Sequence, residues 1–369
     1  MSNYVEIIED IDGLYSLKNE WDKLYLKSYN NENVFLTHEW IVLWTEISSH
    51  KIFVVVVRND AGDEIVIAPL GIRRKKKMGM NYKILTFLAS GATDYHGFLA
   101  SELNEELLNL IFGTIKKRTN DWDVIELQEI KSNDVLVDYL AKSQVFNFTK
   151  TFSGPCPRII LGKNELFKDK IAKKIVQDVN YQIRRLRKTG ELEFKTITDV
   201  YELDSFMTSF FETHKLRWNS TKTPSKLNGD EGQQVFRKLA EGMFKNGSSS
   251  YHYLTYNEEV VAINLGFKSG DTFYYYLIAN NPAYNKNSIG KVFVYILLDY
   301  CYENNIKVFD FLRGTESYKN DWGTVIQRNY QLTYTKPNFK GLIKSIDLKY
   351  VKNDASSVYK LIRFIQGKK

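Results

Sequence analysis

Hydrophobic and polar positions follow the same order of patterns in both halves of the chain. In the first half, "KIFVVVVRNDAGDEIVIAPLGIRRKKK" predicts a hairpin, "KILTFLA" a strand, "NEELLNLIFGTIKKR" a helix and "DVIELQEI" a last strand. The second half repeats this order with "SYHYLTYNEEVVAINLGFK", "DTFYYYLIA", "SIGKVFVYILLDYCYEN" and "IKVFDFL". Alternation with period two is typical of strands, and recurrence at three or four residues is typical of helices.

This repeat predicts a mixed α/β (α+β) fold of two tandem domains, each a mostly antiparallel sheet flanked by helices. The segment "TFSGPCPRII" separates the halves, and we expect Gly154, Pro155 and Pro157 to interrupt any regular element there. The expected domains are therefore 1–153 and 154–345, followed by a helical tail at 346–369.

Composition narrows the class of protein. The 369 residues carry a net charge of +7, which favours anionic partners such as phosphates or nucleotides and is too small to require nucleic acid. Cys156 and Cys301 lie in dissimilar contexts and indicate neither a disulfide framework nor a metal site. Without a leader segment or an apolar run of about 20 residues, we expect a cytoplasmic protein with no membrane insertion. The lack of a glycine-rich dinucleotide fingerprint or P-loop disfavours dehydrogenases and P-loop kinases.

The junction "NNPAYNKNSIGKVF" (280–293) joins a predicted strand to a predicted helix. Ser288 stands where an N-cap belongs, yet Lys291 follows in the first turn, and its charge opposes the positive end of the helix dipole. A phosphate bound by the first main-chain N–H groups would offset this repulsion; the alternative is a solvated helix start. The phosphate hypothesis predicts binding by Lys286, Asn287, Ser288, Ile289, Gly290 and Lys291.

Three segments resemble a known superfamily: "FFETHKLRW" (210–218), "EEVVAINLGFKSGDTFYYYLIANNPAYNKNSIGKVF" (258–293) and "VFDFLRGTESYKNDWG" (308–323). They resemble the GCN5-related N-acetyltransferase (GNAT) superfamily, in particular polysaccharide-biosynthesis acyltransferases and tandem-domain transferases of the FemX type. The first half looks like a weaker copy, in which "GATDYHGF" resembles a substrate-side segment. The usual signature of Gln or Arg and two glycines before the helix is reduced here to "KNSIG".

The resemblance implies transfer of an acyl group to an amine, with acyl-CoA as the donor and no tightly bound cofactor. The thioester is then expected between the strands at 271–279 and 307–312, with its pyrophosphate on the helix start at 286–291. The amine has to be neutral when it attacks, so a base or a water chain must take its proton. Thioesters are reactive enough that positioning supplies much of the rate.

Three residues are candidates for handling the amine. His214 is the first, because a pKa of about 6.5 suits proton acceptance at neutral pH. Asp94, close to His96 on a predicted loop, is a competing candidate, and Glu316 is placed to orient an amine. The structural alternatives are a helix-face histidine, an ordinary turn started by Asp94, and a salt-bridge network around Glu316.

The segment after the last strand predicts the acceptor-binding wall, because open α/β sheets bind ligands at the carboxyl ends of strands. Asp310 alternates with apolar neighbours, which makes Arg313 its expected partner, and Arg313 or Lys319 is able to hold a phosphate. The expected substrate-binding residues are Tyr95, His96, Arg217, Trp218, Tyr276, Asp310, Arg313 and Lys319.

These expectations lead to an N-acyltransferase that acylates the amino group of a nucleotide-linked amino sugar, in lipopolysaccharide or capsule biosynthesis. The acceptor rests on the resemblance alone, and this hypothesis needs only small-molecule partners. Two alternatives stay open. One is an aminoacyl-tRNA-dependent transferase of the FemX type, in which the basic helical pattern at 168–188 faces RNA rather than solvent. The other is a non-catalytic partner protein with the same fold. The oligomeric state is not specified by the sequence.

Overall fold

The computed structural model describes residues 3–77, 79–162, 167–219 and 230–337. The chain forms two compact units, one of Met1–Pro155 with the segment from Gln327 onward, the other of Cys156–Ile326. The segment from Gln327 therefore groups with the first unit, whereas the sequence pattern placed residues up to 345 in the second domain. The predicted tail at 346–369 lies outside the described residues, and the predicted domain boundaries stay predictions.

Strands and helices of the first unit follow the order that the hydrophobic pattern predicts. Its strands up to residue 131 are β1 (Tyr4–Ile8), β2 (Lys51–Ile52), β3 (Val54–Arg58), β4 (Glu64–Ala68), β5 (Leu70–Lys77), β6 (Met80–Phe87), β7 (Leu99–Ala100) and β8 (Val124–Lys131). Its helices are α1 (Ile11–Ser16), α2 (Lys18–Lys27), α3 (His38–Ile47), α4 (Glu105–Lys117) and α5 (Val135–Lys142).

Pairing in the first unit is mostly antiparallel. β1, β3, β4 and β7 pair in that order, and β2, β5 and β6 form a second antiparallel run. β8 pairs in parallel with β6 through residues 124 and 125, and antiparallel with β15 (Val325–Thr335) through residues 329–335. The apolar face of α4 is buried with the inner sheet residues, and this burial stabilises the unit.

A continuous strand, β9 (Thr149–Ile160), runs through the segment in which a break was predicted. The expectation that Gly154, Pro155 and Pro157 interrupt regular structure is wrong. The fixed φ of proline fits an extended strand, and because the two prolines lie two residues apart, the missing N–H donors fall on one edge. The carbonyl of Pro157 still accepts a hydrogen bond from the Phe311 N–H at 3.0 Å.

The second unit repeats the hairpin, strand, helix, strand order. Its helices are α6 (Phe167–Lys170), α7 (Lys173–Thr189), α8 (Leu203–Asn219), α9 (Asp230–Lys245) and α10 (Ile289–Glu303). Its strands, besides the end of β9, are β10 (Leu192–Thr196), β11 (Ser249–Tyr256), β12 (Glu259–Ser269), β13 (Thr272–Asn280) and β14 (Val308–Asp310). Short 3-10 helices occupy 200–202, 282–287 and 317–322.

The sheet of the second unit has one parallel pair at its centre. β10 to β13 pair antiparallel in chain order, β13 and β14 pair in parallel, and β14 pairs antiparallel with β9. α10 buries one face against this sheet. The predicted mixed α/β fold with mostly antiparallel sheets is confirmed. Among the helices described here, none is long and apolar enough to cross a membrane.

Candidate functional site

The sheet of the second unit opens where β14 ends. β14 pairs with β13 only through residues 272–274 of β13, which itself continues to Asn280. Beyond Tyr274, no strand in the described ranges pairs with this edge of β13. The register between β12 and β13 shifts between Leu265 and Phe267, a bulge that bends β13 at the same point. The free edge therefore offers main-chain groups with which an extended ligand arm can pair.

Two main-chain donors are free at the start of α10. The N–H groups of Ile289 and Gly290 donate to no acceptor among the described residues, as is usual in the first turn of a helix. Ser288 occupies the N-cap position with a left-handed φ of 51°, and its side chain makes no capping hydrogen bond. Its own N–H donates to the Asn285 carbonyl at 3.0 Å. Ser288 is therefore the N-cap residue, as predicted, but it makes no side-chain cap and adds no free N–H donor.

A carboxylate balances one of the two lysines at this helix start. Lys291 Nζ lies 3.3 Å from Oδ2 of Asp321, and both side chains are partly exposed. Asp321 supplies the negative charge that offsets the unfavourable position of Lys291 beside the helix dipole. Lys286 is exposed on the preceding loop and has no acidic partner in the part of the chain that the structure describes. Lys286 is therefore the cation available to an anionic ligand.

Asn280, the last residue of β13, packs directly against Gly290. A Cβ atom on Gly290 would lie 2.8 Å from Nδ2 of Asn280, so this amide would have to shift to admit a side chain. The Oδ1 atom of Asn280 is buried and has no hydrogen-bond partner within the described ranges. The glycine thus makes room for this amide. Asn280 was not predicted as a site residue, since an asparagine at the end of a strand is an ordinary turn residue.

Arg217, in the last turn of α8, reaches the free edge of β13. Its Nη1 atom donates to the Ile278 carbonyl at 3.2 Å. Burial raises the pKa of the Tyr275 hydroxyl well above its usual value, and the nearby Tyr318 adds to the rise. Burial also raises the pKa of Tyr318, with a smaller contribution from Glu316, while Arg217 opposes both shifts. These four side chains therefore act on one another beside the opening, and both hydroxyls stay protonated at physiological pH.

His214 lies one turn before Arg217 on α8. Its side chain is 4% exposed, and its ring centroid lies 5.9 Å from that of Phe210. Burial lowers the pKa of His214 to about 4, helped by the charge of Arg217. The imidazole is therefore neutral at physiological pH and a weak acceptor for an ammonium proton. The neighbouring Trp218 belongs to α8, but its side chain lies outside the described residues.

The loop after β14 is held from inside by Lys319. Its ammonium group is 4% exposed and donates to the carbonyls of Leu312 and Arg313, at 3.4 Å each, while lying 3.0 Å from Oε2 of Glu316. Gly314 has a φ of +156°, and a Cβ there would fall 1.9 Å from the same Oε2 atom. Lys319 thus points into the loop, and contact with a substrate phosphate would require it to leave these partners.

Other predicted acceptor residues belong to the strands and the loop that surround the same opening. Asp310 and Arg313 are 3% and 8% exposed, and Oδ1 of Asp310 accepts a hydrogen bond from the Leu312 N–H at 2.7 Å. Tyr276 is also buried, with its ring centroid 5.3 Å from that of Phe267. The expected pairing of Asp310 with Arg313 stays a prediction.

The first unit closes its equivalent opening with its own chain. Beyond the end of β6, His96 takes the strand position beside Ile130 of β8 in parallel pairing. The His96 N–H donates to the Glu129 carbonyl at 2.8 Å, and the ring stacks on Phe87 with centroids 4.6 Å apart. A ligand arm therefore finds no free strand edge at this position of the first unit.

The residues before His96 are part of the same interior. Asp94 and Tyr95 are 2% and 0% exposed. The side-chain amide of Asn329 donates to the Asp94 carbonyl at 2.7 Å, and that of Asn33 donates to the Tyr95 carbonyl at 3.0 Å. The structure thus brings the predicted residues Asp94, Tyr95 and His96 together inside the first unit, on a segment that several side chains hold in place.

Comparison with known proteins places this geometry in context. Residues 173–320 match the family model described as an acetyltransferase (GNAT) domain. The structure of FemX is similar with a TM-score of 0.65 at 13% identity, covering 94% of this chain and 100% of that one. A tandem GNAT protein from the clavulanic acid biosynthesis pathway gives a TM-score of 0.52 at 9% identity, covering 90% and 98%.

A third similar structure is the C-terminal domain of a putative lysylphosphatidylglycerol synthetase from Agrobacterium fabrum. Its TM-score is 0.56 at 10% identity, covering 91% of this chain and 96% of that one. At such identities these likenesses show the fold. A comparison with curated protein sequences gives no match. The family match contains the free edge of β13, the start of α10 and most of the loop after β14.

Proposed function

We propose that the chain is a GNAT-superfamily acyltransferase with two tandem domains and that it acylates the amino group of a nucleotide-linked amino sugar with acyl-CoA. The observation that carries the donor assignment is the free edge of β13, which leads through the 281–288 loop to two free N–H donors and Lys286. The pantetheine arm pairs with that edge, and the phosphates lie at the helix start.

The reaction proposed here is an acyl transfer without any redox step. The neutral amine attacks the thioester carbonyl, the new C–N bond forms, the C–S bond breaks, and the amine proton is lost as the thiol leaves. The Tyr318 hydroxyl, whose pKa is raised by burial, stays protonated and is able to donate a hydrogen bond to the departing sulfur, which takes up its proton from water. Water or a carboxylate takes the proton from the amine.

Among the predicted catalytic residues we assign amine orientation to Glu316, which is half-exposed beside the opening. His214, with its low pKa, acts as a neutral hydrogen-bonding group rather than as the final proton acceptor. Asp94 is buried inside the first unit, and we leave it out of the proposed transfer step. The amino-sugar acceptor draws support from the net charge of +7, which favours a ligand with phosphates.

A thiol-release assay tests this function. Acetyl-CoA and longer acyl-CoA esters are mixed with UDP-linked amino sugars, and free thiol is followed together with the mass of the acylated sugar. Acceptor-dependent thiol release supports the proposal. Release with no acceptor dependence, or no release from any ester, contradicts it.

Reversing the charge of Lys286 should weaken donor binding. We expect Lys286→Glu to raise the Kd for CoA about tenfold to a hundredfold, because a charge-assisted phosphate contact becomes a repulsion. Lys291→Glu is a poorer probe, since it also sets a like charge against Asp321. Lys238→Glu, an exposed position on α9, is the matched control and should bind CoA as the wild type does. If the wild type, Lys286→Glu and Lys238→Glu bind CoA with equal affinity, the phosphates do not bind at the helix start.

A second candidate function is favoured by the outer face of α7. This helix carries a surplus of five positive charges, from six basic residues and Asp178. All six basic residues of this helix are exposed: Lys173, Lys174, Arg184, Arg185, Arg187 and Lys188. None of the six has an acidic partner in the described ranges. Tyr181 is 56% exposed on the same helix and is able to stack on a base. Such a surface suits the RNA of an aminoacyl-tRNA-dependent transferase.

Filter binding with tRNA separates this candidate from the first. RNA binding through α7 predicts an affinity that falls steeply with salt and is lost in a variant with Arg184, Arg185 and Lys188 changed to Ala. Binding that does not weaken with added salt, or that persists in the triple variant, would exclude the RNA function for this face of α7.

A further inference from the structure

One carboxylate, Glu259 at the start of β12, holds the loop that precedes α10. Its Oε1 atom accepts a hydrogen bond from Nδ2 of Asn281 at 2.7 Å, and its Oε2 atom accepts one from the Tyr284 hydroxyl at 2.6 Å. Both partners belong to the 281–288 loop. The hydrogen bond from Tyr284 is strong enough that Glu259 raises the pKa of that hydroxyl to about 12.

The turn that carries Glu259 is itself anchored. Asn257 and Glu258 form the tip of the β11–β12 hairpin with φ values of 49° and 67°. The Asn257 N–H donates to the Glu191 carbonyl at 2.9 Å, and Oδ1 of Asn257 accepts from the Glu191 N–H at 2.9 Å. The hydroxyls of Tyr256 and Thr189 lie 2.8 Å apart. Glu259 therefore acts from a fixed support, the junction between α7 and β10.

The loop links the two parts of the proposed donor site. It begins at the end of β13, where the Asn281 N–H donates to the Val261 carbonyl of β12 at 2.9 Å, and it ends at the free N–H groups of α10. Lys286 lies on its exposed side. A shift of this loop would change the distance between the strand edge and the Lys286 ammonium group. A ligand that contacts both would then bind more weakly.

We propose that Glu259 is a positioning residue for the acyl donor: it fixes the 281–288 loop so that the strand edge, Lys286 and the start of α10 contact one CoA molecule together. The inference rests on the proposed donor site. In this proposal the Glu259 carboxylate touches neither the amine nor the thioester. It acts through Asn281 and Tyr284, and the hairpin tip transmits the rigidity of the α7–β10 junction to the loop.

The test compares three variants by CoA titration and by steady-state kinetics. Glu259→Ala loses both hydrogen bonds to the loop, and we expect the Kd and the KM for the donor to rise about tenfold with kcat changed less than threefold. Glu259→Gln keeps an acceptor for Asn281 and gains a donor for Tyr284, so its Kd should stay within about threefold of the wild type. Glu258→Ala removes the adjacent carboxylate and should leave the Kd unchanged.

The outcomes separate this inference from the proposed function. If wild-type protein binds no CoA, the donor site fails and the inference fails with it. If wild type binds CoA and Glu259→Ala binds it equally well, only the positioning role fails. A melting temperature lowered in Glu259→Ala and equally in Glu259→Gln, with a lower kcat and an unchanged KM, would show a general structural role and would also overturn the inference.

Discussion

Replacing Lys319 by Met lowers the free energy of unfolding of the second unit by about 2–4 kcal/mol. The Lys319 ammonium group is buried. It donates hydrogen bonds to the Leu312 and Arg313 carbonyls and forms an ion pair with the Glu316 carboxylate. Methionine fills much of the same space, so the cost comes from the unpaired polar groups rather than from a cavity. Because these groups form the wall of the opening, thiol release should also fall at least tenfold.

Urea unfolding at pH 7.5 measures the effect, with Lys238→Met as the control. Lys238 is exposed on α9, and its replacement should change stability by less than about 0.5 kcal/mol. If Lys319→Met unfolds at the same urea concentration as the control variant, the buried ammonium is not what holds this loop.

Acid should destabilise the second unit well before its carboxylates are protonated. Burial lowers the pKa of His252 to about 3 and that of His214 to about 4. In the unfolded chain both imidazoles take up a proton near pH 6.5, whereas the folded unit keeps them neutral, so the unfolded state binds more protons. Stability is complete above about pH 7 and falls as pH drops through 6.5. Between pH 7 and 5 we expect a loss on the order of 3 kcal/mol.

Unfolding by urea at pH 7.5, 6.0 and 5.0 follows this loss, and His252→Gln tests its origin. The His252 ring bonds to the Thr196 and Ser250 hydroxyls at 2.9 and 2.8 Å, and glutamine offers both a donor and an acceptor in a similar space. This variant should lose about half of the pH dependence. A stability that does not change between pH 7.5 and 5.0 would show that the two histidines do not stay neutral in the folded unit.

The order of elements was predictable because each hydrophobic period is local. The Tyr253 to Ile263 stretch consists of two mainly apolar runs on either side of a polar turn, and α10 repeats apolar residues at three and four positions, so each element can be predicted from its own segment. The strand through Pro155 and Pro157 was missed for a physical reason. Proline removes a donor, which is costly at the centre of a sheet and harmless on an edge that needs no donor, and a single segment does not show which applies.

The chemistry of the helix start was only partly predictable. The sequence identifies Lys291 as an unusual residue for a helix N-terminus, but Asp321, which balances it, is 30 positions away and comes close only through the fold. The left-handed φ of Ser288 depends in the same way on the 3-10 turn before it. Free main-chain donors at the helix start follow from local geometry alone, and those at Ile289 and Gly290 were predicted.

Residues 94–96 illustrate the limit of the internal repeat. Their place in the order of elements matches that of the 281–288 loop, and the resemblance of "GATDYHGF" to a substrate-side segment predicted an open role in substrate binding. Whether a loop lies open or fills a strand gap depends on long-range partners, and here Ile130, Asn329 and Asn33 hold the segment in the interior. Equivalent positions in a repeat therefore need not share exposure.

Calorimetric titration of the full chain with CoA, beside pantetheine as the ligand without phosphates, tests the donor site most directly. The free edge in the second unit and the filled one in the first predict one CoA bound per chain, with affinity that falls at least tenfold for pantetheine. Two equivalent sites, equal affinity for pantetheine, or no binding of CoA would contradict the account.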